Sequence, residues 1–145
     1  MIKSYRGILV DGEQQHIRLG TPQGKVGYRI LKLDIMSSAP GVTNSESLVQ
    51  IFKTEQTTVP TSGATVDFSD SALLAAAFWK ESADYYHPLG NAVVFDQEIF
   101  NQDIFITHTN QEGTLAVNYY LELEQVKLNE QEALVSIVKN LRLKQ

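Results

Sequence analysis

Three carboxylates in the second half of the chain have the spacing best suited to acid–base chemistry. Asp96, Glu98 and Asp103 fall among short apolar runs, and on a strand Asp96 and Glu98 would lie on one face. Paired carboxylates hydrolyse glycosidic bonds when they lie about 5 Å or roughly 6.5–9.5 Å apart. Charged residues at strand edges that prevent aggregation are far commoner, so a hydrolase is the third of three functional hypotheses.

An aromatic patch near residue 85 has the residue types of a binding loop. Tyr85, Tyr86 and His87 follow Asp84, and Trp79 precedes them. Aromatic side chains on loops supply contact area at little entropic cost, although one or two such rings also cover the end of a β-structure. We therefore take Trp79, Tyr85, Tyr86 and His87 as candidate interaction residues. A carbohydrate-binding module that stacks sugars on them is the second functional hypothesis.

Other polar groupings are better explained by turns and surfaces than by chemistry. Asp11, Glu13 and His16 cluster as metal ligands can, but Asp-Gly is turn chemistry and the spacing matches no known ligand pattern. His108 alternates with threonines on a predicted strand and is typical of a structural histidine. We predict no catalytic residue, no cofactor and no metal site, and therefore not an enzyme.

Composition favours a globular protein without signals for nucleic acid or membranes. The 145 residues suit a single domain over 1–145, and the net charge of −5 lacks the basic footprint of a nucleic-acid binder. The chain contains no cysteine, which excludes disulfides and thiolate sites. The first residues lack an apolar signal-peptide segment, and no apolar run approaches the roughly 18 residues of a membrane span. We expect synthesis in the cytoplasm.

The most regular pattern is the alternation over residues 115–124. Every odd position is large and apolar, which predicts a strand with one buried and one wet face. The even positions Asn118, Tyr120 and Glu122 form a flat polar face that suits a contact between subunits. We take these three as further candidate interaction residues.

Most of the remaining pattern also predicts strands. The apolar phase of residues 26–36 flips between Ile30 and Leu31, which indicates a bulge or a strand that passes between two packed layers. Asp11-Gly12 predicts a hairpin-type turn between the first two strands, and 110–113 predicts a hairpin that pairs 103–109 with 114–125.

Two helices are predicted beside the strands. Ser69 or Asp70 can cap a helix over 71–81, in which apolar residues recur at helical spacing. Asn129 and Glu132 resemble a capping box for a C-terminal helix over about 129–142. The predicted fold is mainly β: an antiparallel β-sandwich, jelly-roll-like, of about seven strands with one short internal helix and a C-terminal helix.

Two stretches resemble small virion accessory proteins of tailed bacteriophages, especially marine podovirus-like ones. One runs over 5–15 and 24–30, and the other over 99–108 and 118–124 with the closing helix. The resemblance implies a non-enzymatic role in the virion as a capsid decoration or cement protein, or a head-fibre, tail or neck component. It further implies the major capsid protein or another virion protein as partner, and a homo-oligomer. This is the leading functional hypothesis.

Overall fold

The computed structural model describes residues 1–20, 25–82 and 89–128, which form eight β-strands in two antiparallel sheets. Sheet A consists, in spatial order, of β1 (Ile2–Leu9), β8 (Val117–Lys127) and β3 (Val26–Ser37). Sheet B consists of β2 (Gln14–Ile17), β7 (Ile104–Asn110), β4 (Ser45–Phe52), β5 (Leu73–Glu81) and β6 (Leu89–Val94). The prediction of a mainly β, antiparallel protein is confirmed, with eight strands rather than about seven.

The inner faces of the two sheets share one hydrophobic core. From β8 the core takes the alternating residues Val117, Tyr119, Leu121 and Leu123, which are at most 7% exposed. From sheet B it takes branched residues such as Val49, Ile51, Ile104 and Ile106. The period of two in β8 therefore places one face in the core and the other toward solvent, as the sequence predicts.

A bulge in β3 explains the phase flip in its apolar pattern. The register against β8 shifts between Ile30 and Lys32, and the residue between them, Leu31, is 37% exposed. Because a bulge adds one residue to a strand, Tyr28 and Ile30 before it and Leu33 after it all face the core. Of the two explanations that the sequence left open for the phase flip, a bulge or a strand that passes between two layers, the register supports the bulge.

The helix predicted over residues 71–81 is wrong, because this segment is strand β5. β5 lies between β4 and β6, and its residues 73–77 are all buried. A strand buried on both faces loses the alternation that distinguishes it from a buried helix. Asp70 accepts a hydrogen bond from the backbone N–H of Ala72 in a tight turn. The side chain predicted to cap a helix therefore stabilises the turn that precedes β5.

A long loop between β4 and β5 covers the outer face of sheet B. Gln50, Thr107 and Thr109 point away from the core yet are at most 8% exposed. The Gln50 amide donates to the Thr65 carbonyl, and the Thr109 hydroxyl donates to the Pro60 carbonyl at 2.7 Å. The loop therefore buries outward side chains of β4 and β7.

Two glutamine amides hold the covering loop as a neighbouring strand would. Gln14 donates to the Gln56 carbonyl at 3.1 Å and accepts from the Gln56 N–H at 2.8 Å. Gln111 donates to the Ala64 carbonyl at 2.7 Å and accepts from the Ala64 N–H at 3.0 Å. Each side-chain amide therefore satisfies both polar groups of one loop residue, which a loop over an apolar surface requires.

The hairpin predicted across 110–113 is wrong, because this turn carries the chain from sheet B to sheet A. The turn predicted at Asp11-Gly12 is present, and it carries the chain from sheet A to sheet B. β7 pairs with β2 and β4, whereas β8 pairs with β1 and β3. The buried Asn110 amide fixes one crossing: its oxygen accepts from the N–H groups of Glu46 and Glu112, and its nitrogen donates to Ser45 and to the Leu115 carbonyl. The C-terminal helix predicted over 129–142 lies outside the described residues.

His108 is a fully buried histidine that joins the two sheets. Its Nδ1 lies 3.1 Å from the carbonyl oxygens of both Leu9 and Val10, so Nδ1 carries the proton and donates. Its Nε2 has no hydrogen-bond partner in the described part of the chain. Burial lowers the pKa of His108 below its usual 6.5, so the folded protein holds this imidazole neutral.

Replacement of His108 by asparagine is expected to weaken the acid sensitivity of folding. The pKa of His108 is lower in the folded chain than in the unfolded chain, so the unfolded chain binds a proton first as the pH falls. His108 therefore costs no stability above about pH 6.5 and costs an increasing amount below it. An asparagine keeps a donor near Nδ1 and cannot titrate. The free energy of unfolding, measured in urea between about pH 6.5 and 5, should therefore fall less steeply, by up to about 1.4 kcal/mol per pH unit.

The control is His16→Asn, since His16 is exposed on β2 and pairs with Asp103 at 2.8 Å. Equal pH slopes for the wild type and His108→Asn would contradict the neutral, buried state of this imidazole.

Candidate interaction surface

The outer face of sheet A carries the surface with the clearest signs of binding. Side chains alternate along each strand, so the antiparallel register brings the outward residues of the three strands into rows. From one end to the other, the rows across β1, β8 and β3 are Ile8–Asn118–Met36, Arg6–Tyr120–Asp34 and Ser4–Glu122–Lys32. We call these nine residues the sheet A face.

A groove lies at the apolar end of the sheet A face. Its volume is about 610 Å³, and its lining includes Arg6, Ile8, Asp34, Met36, Asn118 and Tyr120. Ile8 and Met36 are each 50% exposed, one on either side of β8. A groove with an exposed apolar side chain on each side, one cation and one carboxylate is typical of a protein-binding surface rather than of a reactive centre.

Tyr120 stands at the centre of this face and has polar contacts along the strand. Its hydroxyl donates a hydrogen bond of 2.7 Å to Glu122, which raises the pKa of the tyrosine above its usual value. The Lys32 ammonium lies 6.0 Å from the centre of the Tyr120 ring and 3.2 Å from the Asp34 carboxylate. The Lys32–Asp34 pair is more than half exposed, and exposed pairs contribute little to stability.

Cationic and anionic side chains are equal in number on the outer side of sheet A, although the whole chain has a net charge of −5. One further row pairs Arg29 with Glu124, whose guanidinium and carboxylate lie 2.6 Å apart. The cations on this side are Arg6, Arg29 and Lys32, and the anions are Asp34, Glu122 and Glu124. An acidic molecule therefore presents one face without net charge, which reduces repulsion from an acidic partner.

Asn118, Tyr120 and Glu122 lie together on this face, as the alternation of β8 predicts. Their role in binding stays a prediction. The sequence reasoning missed Arg6, Ile8, Asp34 and Met36, which the register places beside them. Ile8 and Leu9 are both apolar, so the pattern of β1 alone does not say which of them points outward, and only the pairing with β8 decides it.

Trp79 lies on β5, not on a helix, and borders a cavity between the sheets. The cavity has a volume of about 220 Å³, and its lining includes Leu33 and Ile35 of sheet A and Ala92 of β6. The indole packs over Gly90, where an added Cβ would lie 3.4 Å from the ring. Its Nε1 is buried and has no hydrogen-bond partner in the described ranges. The other members of the predicted aromatic patch, Tyr85, Tyr86 and His87, lie outside the described residues.

The three candidate carboxylates for hydrolysis have separate structural contacts. Asp96 is exposed in a turn, so the expectation that Asp96 and Glu98 share a strand face is wrong. Glu98 pairs with Lys53 at 3.1 Å. Asp103 accepts from His16 and from the backbone N–H of Leu19, each at 2.8 Å.

The residues of the candidate metal cluster also have separate structural roles. Asp11 accepts a hydrogen bond from the backbone N–H of Asn110, and Glu13 accepts one from the N–H of Val10, each at 2.7 Å. His16 pairs with Asp103. Within 1–20, 25–82 and 89–128, no group of three or more histidine, aspartate or glutamate residues has the arrangement of a metal site. The same ranges contain no helix with the length and apolar character to cross a membrane.

Comparison of the chain with protein-family models, with curated proteins and with solved structures finds no match. The resemblance to virion accessory proteins of tailed bacteriophages therefore stays a prediction. Inference about function depends on the surfaces described above.

Replacement of Glu98 by alanine is expected to destabilise the fold. The Lys53 side chain is only 5% exposed, and Glu98 balances its charge from a position that is 43% exposed. Without the carboxylate, a buried ammonium loses its charged acceptor, which should cost about 1–3 kcal/mol of unfolding free energy. Urea unfolding monitored by tryptophan fluorescence measures this cost.

Asp96→Ala is the matched control, because Asp96 is exposed in the same turn region. Its effect should stay within about 0.5 kcal/mol. Equal effects of the two substitutions would contradict a structural role for Glu98.

Proposed function

We propose that this chain is a non-enzymatic structural protein of a virion. It binds the capsid shell, through the major capsid protein, or another virion component, and stabilises or decorates the particle through symmetric assembly. The observation that carries the proposal is the contrast between the outer faces of the two sheets. Sheet B is covered by a loop of its own chain, whereas the sheet A face presents an exposed groove with apolar residues on both sides.

The exposure of the sheet A face supports binding to another protein. Ile8 and Met36 flank Asn118 in one row, and both remain half exposed. Exposed apolar side chains that line a groove with a polar rim are a feature of protein contact sites. The polar neighbours of this patch are held by ordinary ion pairs and hydrogen bonds, which suits recognition rather than bond-breaking chemistry.

We also infer that the two sheets form a jelly-roll-like β-sandwich. The orders β1-β8-β3 and β2-β7-β4-β5 match seven of the eight strands of two Greek keys, whereas the remaining strand, β6, lies beside β5 instead of in sheet A. Jelly rolls occur in viral capsid and lectin domains. Because one fold serves many functions, the strand order supports a virion role only together with the exposed face.

A virion location also fits the modest size of the surface. A decoration protein repeats the same contact at many positions of a shell, and linked contacts raise the overall strength of attachment without a strong single site. A groove with a few apolar and charged anchors is sufficient under those conditions. The chain would be made in the host cytoplasm and incorporated during or after assembly of the particle.

The direct test is the protein composition of particles from the source culture. Density-gradient particles are analysed by quantitative mass spectrometry, with the major capsid protein as internal reference. We expect the chain to sediment with the particles in a fixed ratio to the capsid protein, and to keep that ratio after washing at moderate salt. Recovery only in the unsedimented fraction, without particle-bound peptides, would refute the virion proposal.

A second candidate function is carbohydrate binding, favoured by one observation at Trp79. Its indole N–H is buried without a partner in the described ranges and borders the cavity of about 220 Å³ between β3, β5 and β6. A sugar hydroxyl could accept this hydrogen bond while the ring stacks on the sugar. Tyr85, Tyr86 and His87, which follow β5 in the chain, are the further residues of this hypothesis.

Trp79 is the only tryptophan of the chain, so all tryptophan fluorescence comes from a residue that borders this cavity. Titration with a glycan panel should shift the emission if sugars bind there. Calorimetry with Trp79→Phe, which keeps an aromatic ring but removes the N–H donor, and with Tyr85→Ala/Tyr86→Ala should then show weaker binding. An unchanged spectrum across the panel at millimolar glycan would exclude this site as a carbohydrate site.

A further inference from the structure

We propose that the sheet A face binds the same face of a second copy of this chain, about a two-fold axis that runs parallel to β8. The inference deepens the proposed symmetric assembly, on which it rests, by naming the partner and the contacts. A two-fold contact joins identical patches, so each residue off the axis meets a different residue of the partner. The order of residues across sheet A decides whether such a contact is favourable.

The register of sheet A makes this rotation self-complementary. β8 lies in the middle, with β1 on one side and β3 on the other. Rotation about an axis along β8 places β1 of one copy opposite β3 of the other and keeps each row opposite itself. Residues of β8 lie on the axis and meet their own counterparts, while residues of β1 meet the β3 residues of the same row.

The central row supplies two ion pairs. It consists of Arg6 on β1, Tyr120 on β8 and Asp34 on β3. In the pair of copies, each Arg6 faces the Asp34 of the other copy, and the two Tyr120 rings meet on the axis. The Asp34 carboxylate already has Lys32 at 3.2 Å, so a second cation joins an exposed and weakly held carboxylate.

The apolar row adds complementary contacts beside these ion pairs. It consists of Ile8, Asn118 and Met36. Each Ile8 faces the Met36 of the other copy, and the Asn118 amides meet on the axis, where two amides can exchange hydrogen bonds. This contact covers side chains that are half exposed in the single chain and brings together two faces without net charge.

The same register argues against the other simple two-fold arrangement. With an axis perpendicular to the strands and centred on the central row, Arg6 would meet Arg6 and Asp34 would meet Asp34. Like charges in direct opposition across an interface are strongly unfavourable. Charge therefore selects the axis parallel to β8.

The arrangement has two unfavourable contacts, which make a further test possible. Glu122 and Glu124 of β8 lie on the axis, and each meets its own counterpart in the other copy, while Lys32 and Arg29 flank them in their rows. Glu122→Gln should therefore strengthen the pair. A face that does not bind itself would show no response to this change.

The contact area predicts a weak pair. Three strands about 4.8 Å apart and eight residues long form a face of roughly 10–15 Å by 26 Å. Counted on both copies, this is about 500–800 Å², below the roughly 1,000 Å² that a stable specific interface needs. Association should therefore depend on protein concentration in solution and gain strength where many copies are held on a particle.

The test uses two charge reversals that complement each other. Arg6→Glu and Asp34→Arg each create like-charge contacts in their own pairs, so each variant should dissociate about tenfold or more readily than the wild type. An equimolar mixture of the two variants should associate again. In the mixed pair the introduced glutamate faces the introduced arginine, and the unchanged Asp34 of one variant faces the unchanged Arg6 of the other. Sedimentation velocity or light scattering over a concentration series measures both effects.

Arg18→Glu and Asp96→Arg are the matched controls, since both residues are exposed and lie outside sheet A. They should leave association unchanged, and circular dichroism verifies the fold of all four variants. The inference is overturned if the wild type stays at 16.2 kDa throughout, or if the mixture of reversed variants associates no better than either alone. Particle-bound protein without self-association would overturn this inference and keep the proposed function. Self-association without particle binding would support this inference and overturn the proposed function.

Discussion

Strand β8 has to keep one face dry and the other wet, and the rest of the molecule depends on this constraint. Its inward residues fill the centre of the core, and it is the central strand of sheet A. One of them, Tyr119, has room for its ring because Gly7 lies opposite, where a Cβ would come within 3.0 Å of the ring. The Tyr119 hydroxyl then donates to Gln15 at 3.0 Å, which ties sheet A to strand β2 of sheet B.

The outer faces of the two sheets differ in whether the chain itself covers them. On sheet B, the chain returns over its own strands, and Gln14, Gln50 and Gln111 hold the loop through backbone-like hydrogen bonds. Sheet A keeps alternating polar and apolar residues on its outer side, and its charges are arranged across β8 so that a rotated copy can satisfy them.

The sequence predicts what depends on local pattern and fails where distant pairing decides. The alternation of β8 and the bulge at Leu31 are readable because each is encoded within one strand. The turns at Asp11-Gly12 and at 110–113 are also present, but turn chemistry does not say which sheet the next strand joins. The helix assigned to 71–81 fails because residues 73–77 are all buried, and a segment buried on both faces lacks the alternation that marks a strand. The sequence predicts only part of the sheet A face. The alternation of β8 identifies Asn118, Tyr120 and Glu122. The pairing of β1 and β3 with β8 is needed to identify Arg6, Ile8, Asp34 and Met36.

The most direct measurement of the central claim is a cross-link at the proposed axis, which the absence of cysteine makes simple. Asn118→Cys places one thiol on the exposed side of β8. Facing sheets lie about 10 Å apart, farther than the Cα separation of a disulfide, so a short bismaleimide is the suitable reagent. We predict a covalent dimer for Asn118→Cys at concentrations where Asp96→Cys remains monomeric. Equal yields for the two variants, or a monomer in both, would contradict the pairing of the sheet A face about β8.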